Sequence, residues 1–403
     1  MLPIYDKFYA LPEVIQHKTI FGHLKSYNDK LNFDIDFTSK SNRPCLIFFY
    51  AGNQIDDFVD DDLIDEIITV CNKNLKNILI LDTIIEDFVN KPFVDCLSKL
   101  LERGLTTDRI KIVTSGNPPS LFKHLFLQGG FLKDNGYEFR NKAFGKLDVI
   151  SYDGFSTSFV LHQISSNAPL DEIKPRDFDL HFCLLQKNSR YLRKIVHAFF
   201  MHHKLDKKSI YSWHNAGLDT EWGTFEELAC NEFGLDLDFE RYKEPIIFDN
   251  FWETDEWHVG SDPAKRCAFN CYVETTALRD NPSIFYGDPL PHKDNYFLTE
   301  KTYKNFWYGL PYIHISFNLE DYLKHTGYKT FKHFIEYDKV PITSNHHYLQ
   351  NDFNLILKIS KMSIDELQSI LNSESVIAQL KHNRKMLLRL LPLRNFVAQL
   401  DKY

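Results

Sequence analysis

The sequence is poor in the features that mark several protein classes. Its 403 residues include seven cysteines, which are scattered along the chain and form no Cys-x-x-Cys pair. That spacing is atypical of a disulfide scaffold or a cysteine-ligated zinc site, and it favours a reducing compartment. No apolar run reaches the roughly 18 residues that a membrane span needs, so we expect no integral membrane contact.

Other absences narrow further the protein classes to which this chain could belong. The first residues show no basic segment followed by an apolar run, so we expect no signal peptide and predict a cytoplasmic location. Glycine and proline number 16 each, which excludes a collagen-like or low-complexity chain. The net charge of −8 argues against a chain-wide polyphosphate-binding surface, although a local basic patch stays compatible with it.

What the chain has in quantity is apolar and aromatic side chains. Hydrophobic residues make up 43% of it, with 34 Phe and 20 Tyr, which is enough to fill sizeable cores. At about 150 residues per domain, the length predicts two to three domains.

The first third of the sequence alternates short apolar runs with amphipathic segments. Continuous apolar runs separated by helical segments are typical of a parallel sheet with helices on both faces. The predicted strands are 46–50, 77–82, 109–114 and 147–151, and the predicted helices are 61–71 and 93–101.

A second series of strands and helices begins after a cluster of Ser, Asn and Pro at 165–175. Its predicted strands are 180–185, 268–273 and 311–315, and helices are predicted to end at Phe200 and to cover 297–308 and 362–400. The segment 209–263 is expected to be irregular and aromatic-rich. We therefore predict two α/β domains, at 1–170 and 176–350, followed by C-terminal helices at 351–403.

The most informative segment for function is 296–313. Thr299 is a candidate N-cap, and Gly309 suits the position after the helix end. Glu300 favours the positive end of the helix dipole, whereas Lys301 opposes it, and such a local conflict is typical of a functional site. The helix start with Lys301 would attract a phosphate, and Glu300 could accept hydrogen bonds from the vicinal diol of a ribose. An ordinary capped helix with a surface lysine is the alternative.

These residues also carry a family resemblance. The segment 269–275, then Tyr296-Phe297-Leu298-Thr299-Glu300-Lys301 and an apolar helix ending in Gly-x-Pro, resembles the donor-binding region of α1,3-fucosyltransferases. The same segments are similar to phage and giant-virus proteins regarded as glycosyltransferases, in which a motif such as 327–331 follows and one such as 188–193 precedes. The resemblance covers roughly residues 178–335. Thr275 stands where the fucosyltransferase motif has asparagine.

The resemblance implies a GT-B fold, in which two Rossmann-like domains face a cleft and the C-terminal helices pack back. It implies a nucleotide-diphosphate sugar, GDP- or UDP-linked, bound mainly by the C-terminal domain. Glu300 would match the ribose-binding glutamate and Lys301 the diphosphate-binding lysine, with Thr299 beside them. Arg190 is the candidate diphosphate-binding arginine, and Glu274 aligns with the glutamate of the Phe-Glu-Asn motif.

No metal site and no cofactor other than the nucleotide sugar are expected. Asp236 and Asp238 have the spacing of a metal-binding Asp-x-Asp motif, but alternation predicts that they share a solvent-exposed strand face. In a GT-B transferase, lysine and arginine take the place of a divalent ion at the leaving diphosphate.

An inverting transfer needs a general base near the acceptor. Candidates follow predicted strands of the first domain: Asp82 and Asp153 as bases, and Asn53, Ser115 and Asn117 as acceptor-binding residues. The acceptor could be a glycan, a lipid-linked sugar, a protein or a hydroxylated DNA base. A non-catalytic nucleotide-binding protein and a viral DNA-modifying glycosyltransferase are the alternatives.

Overall fold

The computed structural model describes residues 2–5, 21–25, 35–38, 44–50, 61–82, 91–114, 146–188, 191–216, 229–235, 246, 261–274, 298–317 and 319–400. The chain divides into two compact units. The first unit is Met1–Leu161 with Leu390–Tyr403, and the second is His162–Arg389. The domain boundaries given by the sequence stay a prediction.

The helices are α1 (Asp61–Asn72), α2 (Lys91–Glu102), α3 (Gly154–Ser165), α4 (Tyr191–His202), α5 (Ser261–Lys265), α6 (Glu300–Tyr308), α7 (Leu319–His325), α8 (His346–Ser360), α9 (Ile364–Leu371), α10 (Glu374–Leu388) and α11 (Leu391–Leu400).

The first unit contains a parallel sheet of six strands in the order β2-β1-β3-β4-β5-β6. Its strands are β1 (Leu2–Tyr5), β2 (Ile35–Thr38), β3 (Leu46–Tyr50), β4 (Ile78–Asp82), β5 (Ile110–Thr114) and β6 (Asp148–Ser151). The first strand lies between the second and the third, which is the order of the flavodoxin-like doubly wound fold.

The core of the first unit explains why its strands read as continuous apolar runs. Ile47, Leu79 and Ile112 point from neighbouring strands into one buried cluster with the apolar faces of α1 and α2. Burying one such side chain contributes about 1.5–3 kcal/mol. The last helix, α11, belongs to this unit, and its Phe396 contacts Tyr152 with ring centroids 5.1 Å apart.

The second unit contains a parallel sheet of four strands in the order β10-β9-β7-β8. Its strands are β7 (Leu180–Asn188), β8 (Ser209–Ala216), β9 (Cys267–Val273) and β10 (Tyr312–Ile315). Counted within the unit, the first strand again lies between the second and the third. Each unit is thus built on the same strand order.

Three asparagines join the C-terminal helices to the rest of the second unit. Each side-chain amide bonds both the N–H and the C=O of one residue, as a neighbouring strand would. Asn351 clamps Val340 (2.7 and 2.9 Å), Asn372 clamps Arg176 (2.9 and 2.9 Å) and Asn383 clamps Lys329 (2.7 and 2.8 Å).

The α/β class and the parallel sheets are confirmed. The sequence reading was wrong about the beginning of segment 209–263, because β8 occupies 209–216 there. It also missed β1, β2, α3, α5, α7 and α8. All seven cysteines are free and buried. Among the described helices, none combines the length and the apolar character that crossing a bilayer requires.

Candidate functional site

The candidate site lies where the strand order of the second unit reverses. The chain passes from β7 to β8 on one side, whereas β9 pairs with β7 on the other side. In open parallel sheets, ligands bind outside the carboxyl ends of the strands at such a point. Two segments that the sequence singled out follow these strand ends: the segment after Asn188, and Glu274 directly after β9.

Glu274 is buried next to the start of α6, and its carboxylate accepts three hydrogen bonds. Its Oε1 accepts from the Thr299 amide (2.6 Å) and the Thr302 hydroxyl (2.8 Å), and its Oε2 accepts from the Thr299 hydroxyl (2.7 Å). Only 4% of the residue is exposed. Burial raises the pKa of Glu274 above its ordinary value, while Lys301 and the threonine hydrogen bonds act against that rise.

Thr299 is the N-cap of α6, as the sequence predicted. Its backbone is extended, and its side-chain oxygen accepts from the Lys301 amide at 3.4 Å. Gly309 ends the helix in the left-handed conformation at φ 63°, which the sequence also predicted. The helix start is therefore capped from inside by Thr299 and from the neighbouring strand by Glu274.

Glu300 and Lys301 form an ion pair in the first turn of α6. The Lys301 Nζ lies 2.5 Å from Glu300 Oε1 and 3.3 Å from Thr299 Oγ1. Their side chains are 15% and 31% exposed, so each keeps part of its surface in contact with solvent. Burial alone would raise the pKa of Glu300, but the ammonium groups of Lys301 and Lys304 lower it to about 2.

This arrangement holds an anionic acceptor and a cationic donor next to each other at a helix N-terminus. Glu300 stays ionised at neutral pH and can accept hydrogen bonds from hydroxyl groups. The Lys301 ammonium can donate to phosphate oxygens. In the structure the Glu300 carboxylate and the Lys301 ammonium bond each other. A ligand that binds both groups must therefore replace that ion pair with its own hydrogen bonds.

The sequence reasoning missed two asparagines that fix the first turn of α6. The side-chain Nδ2 of Asn305 donates to the Lys301 backbone carbonyl (2.7 Å), and the side-chain Nδ2 of Asn270 in β9 donates to Asn305 Oδ1 (2.6 Å). Asn270 stands in the segment that carries the resemblance, and this was the available signal. Its partner 35 residues away could not be read from spacing alone.

The segment 327–331 has a packing role. Tyr328 stacks on Phe306 of α6 with ring centroids 4.3 Å apart, and Phe331 contacts Tyr312 of β10 at 5.1 Å. The Thr330 hydroxyl donates to Glu320 at 2.8 Å. The segment thus packs against both α6 and β10.

The basic segment 187–194 contributes two buried cations to the first turn of α4. Arg193 is 7% exposed and Lys194 is fully buried, and each is engaged by the protein. Arg190, the predicted diphosphate-binding residue, lies outside the described residues, as do the acceptor candidates Asn53, Ser115 and Asn117.

The two candidate bases lie at carboxyl ends of strands in the first unit. Asp82 is the last residue of β4 and is fully buried. Asp153 follows β6, and its Oδ1 accepts from the Ser156 amide at 3.1 Å, so it caps α3. Strands β4 and β6 are separated by β5, which puts their axes about 10 Å apart. Both assignments as a base stay predictions.

Two surface grooves of the second unit lie elsewhere. One has a volume of 760 Å³ and lies between the segment 333–339 and α8, and the other has 480 Å³ and lies beside α10. Neither is lined by Glu274, Thr299, Glu300 or Lys301.

Within the part of the chain that the structure describes, no group of three or more His, Cys, Asp or Glu side chains could hold a metal ion. Comparison of the chain with protein-family models, with curated proteins and with solved structures gave no match.

Proposed function

We propose that this chain is a glycosyltransferase of the GT-B type that moves a sugar from a nucleotide-diphosphate donor to an acceptor hydroxyl. In this proposal the second unit binds the donor, GDP- or UDP-linked, and the first unit provides the acceptor site. The transfer is inverting and uses no metal ion. The acceptor is a glycan, a lipid-linked sugar, a protein or a hydroxylated DNA base.

One observation carries the proposal. The Glu300–Lys301 pair lies on a capped helix start that is bonded to the end of β9, the strand that borders the reversal of strand order. A nucleoside diphosphate carries a diol and a diphosphate on the same ribose. Those groups match a carboxylate and an ammonium on adjacent residues.

The proposed roles follow from the chemistry of each group. Lys301, with Arg190, neutralises the charge that develops on the leaving diphosphate as the glycosidic bond breaks. Glu300 accepts hydrogen bonds from the ribose hydroxyls. A carboxylate of the first unit, Asp82 or Asp153, takes the proton from the acceptor hydroxyl as that oxygen attacks the sugar.

A nucleotide panel tests the donor site. Thermal unfolding is measured with GDP, UDP, CDP, ADP and TDP, on the wild type and on Glu300→Ala and Lys301→Ala. A ligand at about 100 times its Kd adds about 2.7 kcal/mol, which raises the Tm of a unit of this size by roughly 5–10 °C. Lys324→Ala is the matched control, because Lys324 also pairs with a glutamate of its own helix, Glu320, at 2.9 Å.

We expect one nucleotide to raise the Tm of the wild type and of Lys324→Ala, and to raise the Tm of each site variant much less. If no nucleotide raises the Tm of the folded wild type, the proposal is wrong. If one does, but its sugar is neither transferred nor hydrolysed, the chain is a nucleotide-binding protein without transferase activity.

A further inference from the structure

The hydrogen bonds of the Glu274 carboxylate come from the protein itself. Both of its carboxylate oxygens are engaged by Thr299 and Thr302, and the residue is almost entirely buried. The family resemblance aligns it with a motif of the donor-binding region. Because the residue is 4% exposed and both oxygens already accept from threonines, we expect its effect on a ligand to pass through those side chains.

A directed chain of hydrogen bonds leads from Glu274 to Lys301. The single hydroxyl proton of Thr299 is donated to Glu274 Oε2 at 2.7 Å. The Thr299 oxygen can therefore act only as an acceptor toward Lys301, whose amide and Nζ lie 3.4 and 3.3 Å away. By accepting the Thr299 proton, Glu274 thus sets the direction of the hydrogen bonds between Thr299 and the lysine.

Thr302, which lies within α6, also bonds both Glu274 and Thr299. Its hydroxyl donates to Glu274 Oε1 at 2.8 Å, and its amide donates to the Thr299 carbonyl at 3.1 Å. The start of α6 is thus tied to Glu274, the residue after β9, at its N-cap Thr299 and at its third residue Thr302. A binding group held by rigid neighbours loses little freedom when a ligand arrives.

We propose that Glu274, acting with Thr302 through Thr299, is a positioning residue that orients the Lys301 ammonium for a diphosphate and does not itself touch the donor. This inference rests on the proposed function, and it makes the buried Glu274 the residue that holds the start of the donor site in place. It predicts that loss of the Thr302–Glu274 hydrogen bond weakens binding only for ligands that engage Lys301.

Thr302→Val is the decisive variant, and Thr330→Val is its matched control. Each removes a buried threonine hydroxyl that donates to a glutamate at 2.8 Å in the second unit, but only Thr302 touches the start of α6. Calorimetry measures the Kd of the nucleoside diphosphate that stabilises the wild type, and of the corresponding nucleoside. The same measurements are made in a Lys301→Ala background.

We expect Thr302→Val to weaken diphosphate binding by about tenfold, which is 1.4 kcal/mol, and to leave nucleoside binding unchanged. Thr330→Val should change neither Kd. In the Lys301→Ala background, Thr302→Val should cause no further loss, because the group it orients is gone. Thr302→Ser, which keeps the hydroxyl, should restore wild-type affinity.

The proposal is overturned if Thr302→Val binds the diphosphate within about twofold of the wild type, or loses the same factor in both backgrounds. If Thr302→Val does not fold, Glu274→Gln replaces it in the same cycle, since it alters the other end of the bond. A wild type that binds no nucleoside diphosphate refutes the proposed function itself. A wild type that depends on Lys301 but not on Thr302 refutes only the positioning role.

Discussion

Replacing Gly309 by alanine tests how α6 is joined to the rest of the second unit. Gly309 has a φ of 63°, and a Cβ added there would lie 2.6 Å from Ile173 Cγ1 and 2.7 Å from Ile173 Cδ1. Gly234 has a nearly identical φ of 64°, but a Cβ there would meet nothing within 4 Å. The two glycines therefore share the backbone strain and differ in the contact.

The expected losses in the free energy of unfolding follow from the backbone strain and from the contact with Ile173. Placing alanine in the left-handed region costs roughly 1–2 kcal/mol, which Gly234→Ala should show alone. Forcing a methyl group against a buried side chain adds about 1–3 kcal/mol, so Gly309→Ala should cost about 2–5 kcal/mol. Urea denaturation followed by circular dichroism gives the free energy of unfolding of each variant.

A double-variant cycle separates contact from strain. Ile173→Ala removes the atoms that the new methyl group would meet, so Gly309→Ala combined with Ile173→Ala should cost about 1–3 kcal/mol less than the sum of the single variants. The reasoning is refuted if Gly309→Ala is no more destabilising than Gly234→Ala, or if the two substitutions are additive.

Three further predictions concern other contacts. Since the pKa of Glu300 falls to about 2 from about 4.3 in the unfolded chain, its stabilisation is complete above pH 4.3 and is lost as the pH falls toward 2. Glu300→Gln should lack that loss in urea titrations between pH 5 and 2, and an unchanged profile would refute the assignment. Asn383 is buried, whereas Asn351 is half-buried. Asn383→Ala removes two hydrogen bonds to Lys329 and should lower the free energy of unfolding by about 1–3 kcal/mol, more than Asn351→Ala does; equal losses would contradict this. Phe396→Ala should cost about 3–5 kcal/mol, and hydrogen exchange should report this around Tyr152 rather than in the second unit.

Most of the sheet framework could be predicted from the sequence, because buried parallel strands are continuous apolar runs. Strands such as β3 and β9 show this pattern directly. By contrast, β1 carries Pro3 among only four residues, and β8 mixes Trp213 with Ser, His and Asn. Each was missed because its apolar character is short or interrupted, while the pairing that makes it a strand is set by distant parts of the chain.

The site divides in the same way between local and long-range determinants. The N-cap at Thr299 and the end at Gly309 depend on neighbouring residues, so spacing and residue type were enough to predict them. The capping role of Glu274 joins residues 25 apart and depends on where β9 ends relative to α6. A sequence pattern carries no such register, so the hydrogen bonds of Glu274 to Thr299 and Thr302 could not be predicted from it.

The measurement that tests the central claim most directly is the release of nucleoside diphosphate from its nucleotide sugar. The wild type, Lys301→Ala and the control Lys324→Ala are incubated with the sugar conjugates of the nucleotide that binds, with and without candidate acceptors, and the products are resolved by mass spectrometry. The account predicts release by the wild type and the control, and at least about a hundredfold slower release by Lys301→Ala, as expected when a group that stabilises developing charge is removed. Equal release by Lys301→Ala, or none by a wild type that binds the nucleotide, would contradict it.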